Sequence, residues 1–171
     1  DTTGTILAED REGALSLVEE QVNEAVMGFK GDYAQIPPMY SALKVDGKKL
    51  YELARAGKEV ERRPRAVQIL DIKVSRIELP RVWMEVTCSK GTYIRTLCHD
   101  IGTALGTYGM MTALRRTIAC GFTLEQTIPL QKAKQIIEQG GTLQDRVLPI
   151  DSIFQDKPVL TVSQAQTTRF S

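Results

Sequence analysis

The sequence predicts an α+β fold built around a mostly antiparallel sheet, and three observations predict it. Residues 67–74 and 82–88 carry the near alternation of half-buried strands, with Val67, Ile69, Ile72 and Val74 in the first and Val82, Met84, Val86 and Cys88 in the second. Residues 14–27 and 94–105 carry apolar stripes of helical period. Strands and helices do not alternate strictly along the chain, which disfavours a doubly wound parallel sheet. At 171 residues, 42% of them hydrophobic, the chain suits one compact domain or one domain with a fragment of another.

Each element follows from local pattern. Leu15, Val18, Val22 and Ala25-Val26 place a helix over 14–27, bracketed by Gly28 and Gly31. Residues 31–49 break every periodic pattern: Pro37-Pro38 excludes helix, and Asp46-Gly47 predicts a tight turn. Leu50, Tyr51, Leu53 and Ala54 predict a short helix closed by Gly57. The one-residue slip within 67–74 predicts a β-bulge. Ser89-Lys90-Gly91 turns the chain into a helix with Ile94, Leu97, Ile101 and Ala104-Leu105 on its buried face, stopped by Gly106. A strand is expected over 113–120, a helix over 129–139 ended by Gly140-Gly141, and a linker over 149–158. Val159-Leu160-Thr161-Val162 begins a further element.

Composition narrows the chemistry. Twenty-two Lys and Arg against 21 Asp and Glu leave a net charge of +1, so anion binding must come from local basic patches. No apolar run approaches the roughly 20 residues of a membrane helix. Three cysteines without a signal-peptide pattern read as free thiols in a reducing cytoplasm. His99 is the single histidine, which removes mechanisms that need two. Cys98-His99-Asp100 holds three catalytic residue types in a row, but adjacent helical side chains splay about 100° apart and cannot line up as nucleophile, base and orienter. Cys98 is expected to be a small buried residue beside a surface histidine. Without a CxxC pair or finger spacing no metal site is expected, and glycine-rich phosphate loops are absent from the sequence.

Two basic segments remain. Tyr40, Lys44, Lys48, Lys49 and Arg55, with Arg62, Arg63 and Arg65 beyond them, interleave cations with tyrosine in a segment too irregular for core. Such a loop can grip phosphates while an aromatic ring packs on a sugar or base, though a solvated basic loop has the same composition. In Cys88-Ser89-Lys90-Gly91-Thr92-Tyr93-Ile94-Arg95 a strand ends, a glycine turn follows and a helix begins. Helix-start N–H groups beside Lys90 suit an anion, and Arg95 can pair bidentately with a carboxylate or serve as a surface ion pair.

Together these segments resemble the TruB family, the bacterial tRNA pseudouridine-55 synthases. The likeness runs through Gly31-Asp32, Gln35-Ile36-Pro37-Pro38-Met39-Tyr40-Ser41-Ala42-Leu43-Lys44, Gly47-Lys48-Lys49-Leu50-Tyr51-Glu52 and Ala54-Arg55. It resumes at Cys88 to Leu97 and again at Leu114-Arg115-Arg116. The resemblance implies a pseudouridine-synthase fold, with residues 1–155 as the catalytic domain and 31–57 as an inserted thumb that closes on RNA. Residues 156–171 would then be a linker and the start of a truncated C-terminal RNA-binding domain. The family's nucleophilic aspartate stands in a Gly-x-Leu-Asp-Pro-Leu-Ala-Thr-Gly type motif, and no aspartate of this sequence has that context. The resemblance therefore places the nucleophile before Asp1, with Asp1-Thr2-Thr3-Gly4 as the tail of a following motif, and leaves this stretch by itself inactive.

What the resemblance implies for the site is specific. Arg95 matches the arginine that pairs with the nucleophile and is expected here to lack its carboxylate partner. Tyr93 is expected to line the pocket floor, and Leu114 to sit in a strand that adds an apolar wall. Tyr40, Lys44, Lys48, Lys49 and Arg55 are the expected RNA contacts of the thumb, joined by Lys90, Arg115 and Arg116. The implied reaction isomerises a uridine in the T loop of tRNA to pseudouridine. It needs neither metal nor cofactor, and it requires the base to leave the stack. The expected partner of the monomeric enzyme is the tRNA T-stem loop, in the cytoplasm. The competing reading is an RNA-binding module without catalysis.

Overall fold

The computed structural model describes residues 4–154, 157–161 and 163. The chain divides into two compact units, Asp1–Leu114 and Arg115–Ser171.

The first unit is built on a three-stranded antiparallel sheet. Its strands are β1 (Gly31–Gln35), β4 (Arg65–Glu78) and β5 (Arg81–Cys88), in the order β1-β4-β5. Strand β1 pairs with the start of β4, Tyr33 opposite Val67 and Gln35 opposite Arg65. The expected bulge is present: the β4–β5 register shifts between Ile69 and Asp71 and again between Val74 and Arg76. The extra residue lets Ile69 and Ile72, three apart, both point into the core although the strand period is two. Beyond the bulges, Arg76 lies over the Trp83 ring, 4.9 Å from its centroid, on the solvent side of the pair.

Helices α2 (Glu19–Met27) and α4 (Ile94–Ala104) close that face of the sheet. Val22 and Val26 of α2, Ile69 and Ile72 of β4, and Leu97 and Ile101 of α4 form one buried cluster. The i, i+4 spacing of Val22 with Val26 and of Leu97 with Ile101 puts each pair on one side of its helix. Close approach also shapes α4. A Cβ on Gly102 would lie 2.1 Å from the backbone nitrogen of Gly109, and one on Gly109 would lie 1.9 Å from the Cys98 carbonyl oxygen. The chain therefore crosses back over α4 with no room for a side chain at either position.

The single helix expected over 14–27 is two helices, α1 (Arg11–Ser16) and α2. Asp10 caps α1, its carboxylate accepting the Gly13 N–H at 2.9 Å. Leu17 and Val18 are extended, and the Val18 N–H donates to Gln21 Oε1 at 3.0 Å to start α2. The break turns Leu17 toward the core cluster and leaves Leu15 and Val18, two of the predicted stripe residues, exposed. Tertiary packing has overridden helical periodicity here. Residues 31–35, which carry no periodic signal, are a sheet strand for the same reason: pairing with β4 supplies what the pattern lacks.

Between β1 and β4, the Asp46-Gly47 turn joins β2 (Lys44–Val45) to β3 (Lys48–Lys49), with Lys44 opposite Lys49. Both turn residues have positive φ, +49° and +79°, the conformation a two-residue hairpin loop requires. The short helix α3 (Leu50–Arg55) follows as expected. Leu50, Pro37 and Ser41 are buried, so this segment has a small core of its own where none was expected.

In the second unit the strand expected over 113–120 reduces to the hairpin β6 (Ile118–Ala119) and β7 (Phe122–Thr123). Cys120 and Gly121 turn the chain with positive φ, and among the described residues 113–117 pair with no strand. Helix α5 (Leu130–Glu138) matches the expected 129–139 helix. Ile150–Phe154, read from the sequence as linker, is a 3-10 helix. Residues 1–3, 155–156, Val162 and 164–171 fall outside the described residues, and with them the Asp1-Thr2-Thr3 motif tail and the end of the element expected at 159–162.

Candidate active site

The start of α4 is assembled from distant segments. The turn before it is held to β4 by two bonds: the Ser89 N–H donates to the Gln68 carbonyl at 2.8 Å, and the Gln68 N–H donates to Ser89 Oγ at 2.9 Å. Helix α4 begins without a side-chain cap of its own, Tyr93 being its N-cap residue. Gln35, at the end of β1, instead holds the N-cap residue itself. Its Oε1 accepts the Tyr93 N–H at 2.7 Å, and its Nε2 donates to the Tyr93 carbonyl at 3.1 Å. The Tyr93 N–H, one of the groups the sequence offers to an anion, is thus already taken.

Arg95 reaches back to the same upstream segment. Its Nη2 donates to the Tyr40 carbonyl at 2.8 Å. Among the described residues no carboxylate forms an ion pair with Arg95, and its guanidinium is held on backbone. Arg95 and Tyr40 therefore meet, while the Tyr40 ring remains exposed. Lys90 is exposed on the neighbouring turn. Leu114 is exposed and outside any strand, so the apolar wall expected from a strand there has no strand to carry it. Arg115 and Arg116 are exposed and belong to the second unit.

The basic residues of the hairpin gather around Tyr51. The Lys49 Nζ lies 5.4 Å and the Arg55 Cζ 5.3 Å from the Tyr51 ring centroid. Lys49 also donates to the Tyr51 hydroxyl at 3.2 Å, and this bond, ahead of the nearby Tyr51 and Glu52 charges, raises the lysine above its ordinary range. The hairpin is tied to the Tyr40 loop, because the Tyr51 N–H donates to the Ser41 carbonyl at 3.1 Å and the Leu50 N–H to the Leu43 carbonyl at 2.7 Å. A cleft beside it is lined by Pro37, Leu43, Lys44, Arg62, Arg63 and Arg65. Within this lining Arg62 donates to the Pro37 carbonyl at 3.2 Å and pairs with Glu59 at 3.3 Å.

The other titratable groups of α4 serve the fold. Burial pushes the Cys98 thiol up, so it carries less thiolate than a free cysteine, and His99 points to solvent. Asp100 accepts a hydrogen bond from the Tyr33 hydroxyl, joining α4 to β1. Burial first, and then Asp100, hold that hydroxyl well above the usual tyrosine range. Cys98, His99 and Asp100 thus face different surroundings, as the helical splay predicts. Among the described residues no three His, Cys, Asp or Glu side chains group as a metal ion would require.

Family comparison decides what this arrangement belongs to. The family model for TruB family pseudouridylate synthase, N-terminal domain, matches residues 1–94, and that for the tRNA pseudouridylate synthase B C-terminal domain matches residues 95–155. The chain belongs to the TruB family. Proteins named tRNA pseudouridine synthase B are its relatives. That of Streptococcus thermophilus is 45% identical over 155 residues, and that of Alkaliphilus oremlandii 44% identical over 165. The alignments take in 88% and 96% of this chain but 52% and 53% of those proteins, so the chain spans about half the length of the TruB relatives it matches. Among solved structures, a chain of a Cbf5-Nop10-Gar1 complex superposes with a TM-score of 0.63 at 29% identity, covering 81% of this chain and 39% of that one. A chain of an H/ACA RNP bound to a substrate RNA containing 2'-deoxyuridine gives 0.54 at 26% identity, covering 76% and 34%. These likenesses agree with the α+β pseudouridine-synthase fold expected of the TruB family. No helix among the described residues is long and apolar enough to cross a membrane.

Two participants escaped sequence reading. Gln35 lay within the family-like segment, but nothing local shows that its amide meets Tyr93, 58 residues away. Tyr51 reads as a helix-face residue, and its place between Lys49 and Arg55 depends on the hairpin turning into α3.

Proposed function

We propose that this chain supplies the arginine and the thumb of a tRNA pseudouridine synthase acting on the T-loop uridine. The observation that carries the reading is the junction of Arg95 with Tyr40. It fastens the guanidinium that would orient a catalytic carboxylate to the loop that leads into the basic hairpin. RNA held by the hairpin and chemistry at Arg95 would then share one rigid connection.

In this reading the thumb expected over 31–57 is its part beyond sheet strand β1, residues 36–57, with Lys44, Lys48, Lys49 and Arg55 on the RNA backbone and Tyr40 against a base or sugar. Lys90 adds to the basic residues of the hairpin, and Arg115 and Arg116 are further RNA contacts in this reading. The catalytic domain is proposed to run to residue 155, with 156–171 leading into a C-terminal RNA-binding domain. The enzyme acts as a monomer in the cytoplasm. Tyr93 lines the floor of the base pocket and Leu114 adds to its wall. The bond from N1 of the uracil to C1' of the ribose breaks, the base turns, and a bond from C5 to C1' forms. The C5 proton leaves and N1 regains one, so the balance needs no oxidant and no cofactor. Arg95 would hold the nucleophilic carboxylate ionised and aimed at the flipped nucleotide.

The test uses the protein as its gene encodes it and a T-stem-loop RNA tritiated at C5 of the uridines. Release of tritium is the expected result. Bound RNA without release would overturn the enzymatic reading in favour of an RNA-binding module. The thumb assignment has its own test in Lys44 and Lys48, both exposed on the hairpin. Replacing both by Ala should weaken RNA binding irrespective of sequence and flatten the log K against log salt slope by about one per lost phosphate contact. An unchanged slope would return these lysines to ordinary solvated surface.

A further inference from the structure

We infer that Gln35 is a positioning residue that aims Tyr93 and Arg95; its bearing on catalysis rests on the reaction proposed above. Gln35 is 1% exposed, and its amide offers the Tyr93 backbone one acceptor and one donor in a single plane. That is the pair a neighbouring strand would present. Tyr93 needs it, since it precedes α4 with extended backbone and has no side-chain cap. Two residues on, Arg95 is tied to Tyr40, five residues beyond Gln35.

The four residues therefore close a ring. One side is the run from Gln35 to Tyr40, stiffened by Pro37-Pro38, and the other is the first turn of α4. The Gln35 amide and the Arg95 guanidinium are the two links between the sides. Opening the amide link leaves the Tyr93 N–H without its partner and frees the helix start to turn, which moves the guanidinium at the site of reaction. Other side chains cannot substitute: Glu offers acceptors alone, Met neither group, and Asn is one methylene too short to span the same gap.

The experiment compares wild type with Gln35→Met and Gln35→Glu in the protein as its gene encodes it. It combines single-turnover tritium release, T-stem-loop affinity, and amide exchange of the 92–97 segment followed by mass spectrometry. For Gln35→Met the rate should fall at least about tenfold and exchange at 92–97 should quicken, while RNA affinity stays within about twofold. Gln35→Glu, which keeps the acceptor for the Tyr93 N–H, should recover part of the rate even though a buried carboxylate lowers its stability further. A merely structural residue would instead make activity follow stability. Where Gln35→Met fails to fold, Gln35→Asn, a neutral amide one methylene too short for the span, takes its place, with the same loss of rate and faster exchange expected. Unchanged exchange at 92–97, or rate and affinity falling together, would overturn the inference. If wild type itself releases no tritium, the reading of the reaction fails and exchange alone decides the clamp: faster exchange in the variants upholds it, and unchanged exchange ends it.

Discussion

Replacing Arg95 by lysine is expected to lower turnover on the order of 100-fold while leaving T-stem-loop affinity nearly intact. The guanidinium is a planar fork with five donors, and one of them, on Nη2, is committed to the Tyr40 carbonyl at 2.8 Å. The remaining edge is what a carboxylate would take, in the parallel two-bond arrangement that sets both its position and its ionised state. A lysine ammonium keeps the positive charge but has no fixed fork, so it cannot hold the carbonyl and orient the carboxylate together. In the proposed reading RNA is held by the hairpin cations, so binding should be spared. Single-turnover kinetics beside a binding titration separate the two, and an equal loss in both would sink the orienting role of Arg95.

The second large effect concerns the other face of the same helix. Leu97 is completely buried between α2 and β4, in the cluster with Val22, Val26, Ile69, Ile72 and Ile101. Leu97→Ala removes apolar volume from a layer with no water to fill it and should destabilise the first unit by about 2–5 kcal/mol. Urea denaturation is the measurement: the midpoint should fall with the slope unchanged. A loss under about 1 kcal/mol would mean that the helices close over the gap and that this core is less tightly packed than its burial implies. Leu97 and Arg95 thus divide α4 between holding the fold and serving the site, and their substitutions should separate stability from turnover.

Much of the architecture was legible in the sequence because it is set over short distances. The alternation of 82–88 and the slip within 67–74 predicted β5 and the bulged β4, since a pleated strand must alternate and an extra residue must bulge. Asp46-Gly47 predicted a tight turn, and both residues take the positive φ that such a turn demands. The stripe from Ile94 to Leu105 predicted α4, and the splay of adjacent residues predicted that Cys98, His99 and Asp100 would not converge.

The misreadings share a cause. The break at Leu17-Val18 is invisible to a helical count because the gain comes from Leu17 meeting a core that other segments build. Strand β1 has no pattern of its own and exists because β4 offers it an edge. The strand expected over 113–120 shrank to two residues on each side of Cys120-Gly121, where alternation found only a hairpin partner.

The sequence by itself determined which residues carry the basic charge, where most of the helices and the principal strands run, and which family this chain resembles. Each rests on side-chain type and on periods of two or 3.6 residues that the backbone imposes locally. Only the tertiary structure decided that Gln35 holds the Tyr93 backbone, that Arg95 is fastened to Tyr40, and that Tyr33 bonds Asp100 across 67 positions. Those contacts join groups whose separation along the chain carries no periodic trace. They form because a buried N–H, carbonyl or hydroxyl must find a partner, and folding decides which one is within reach.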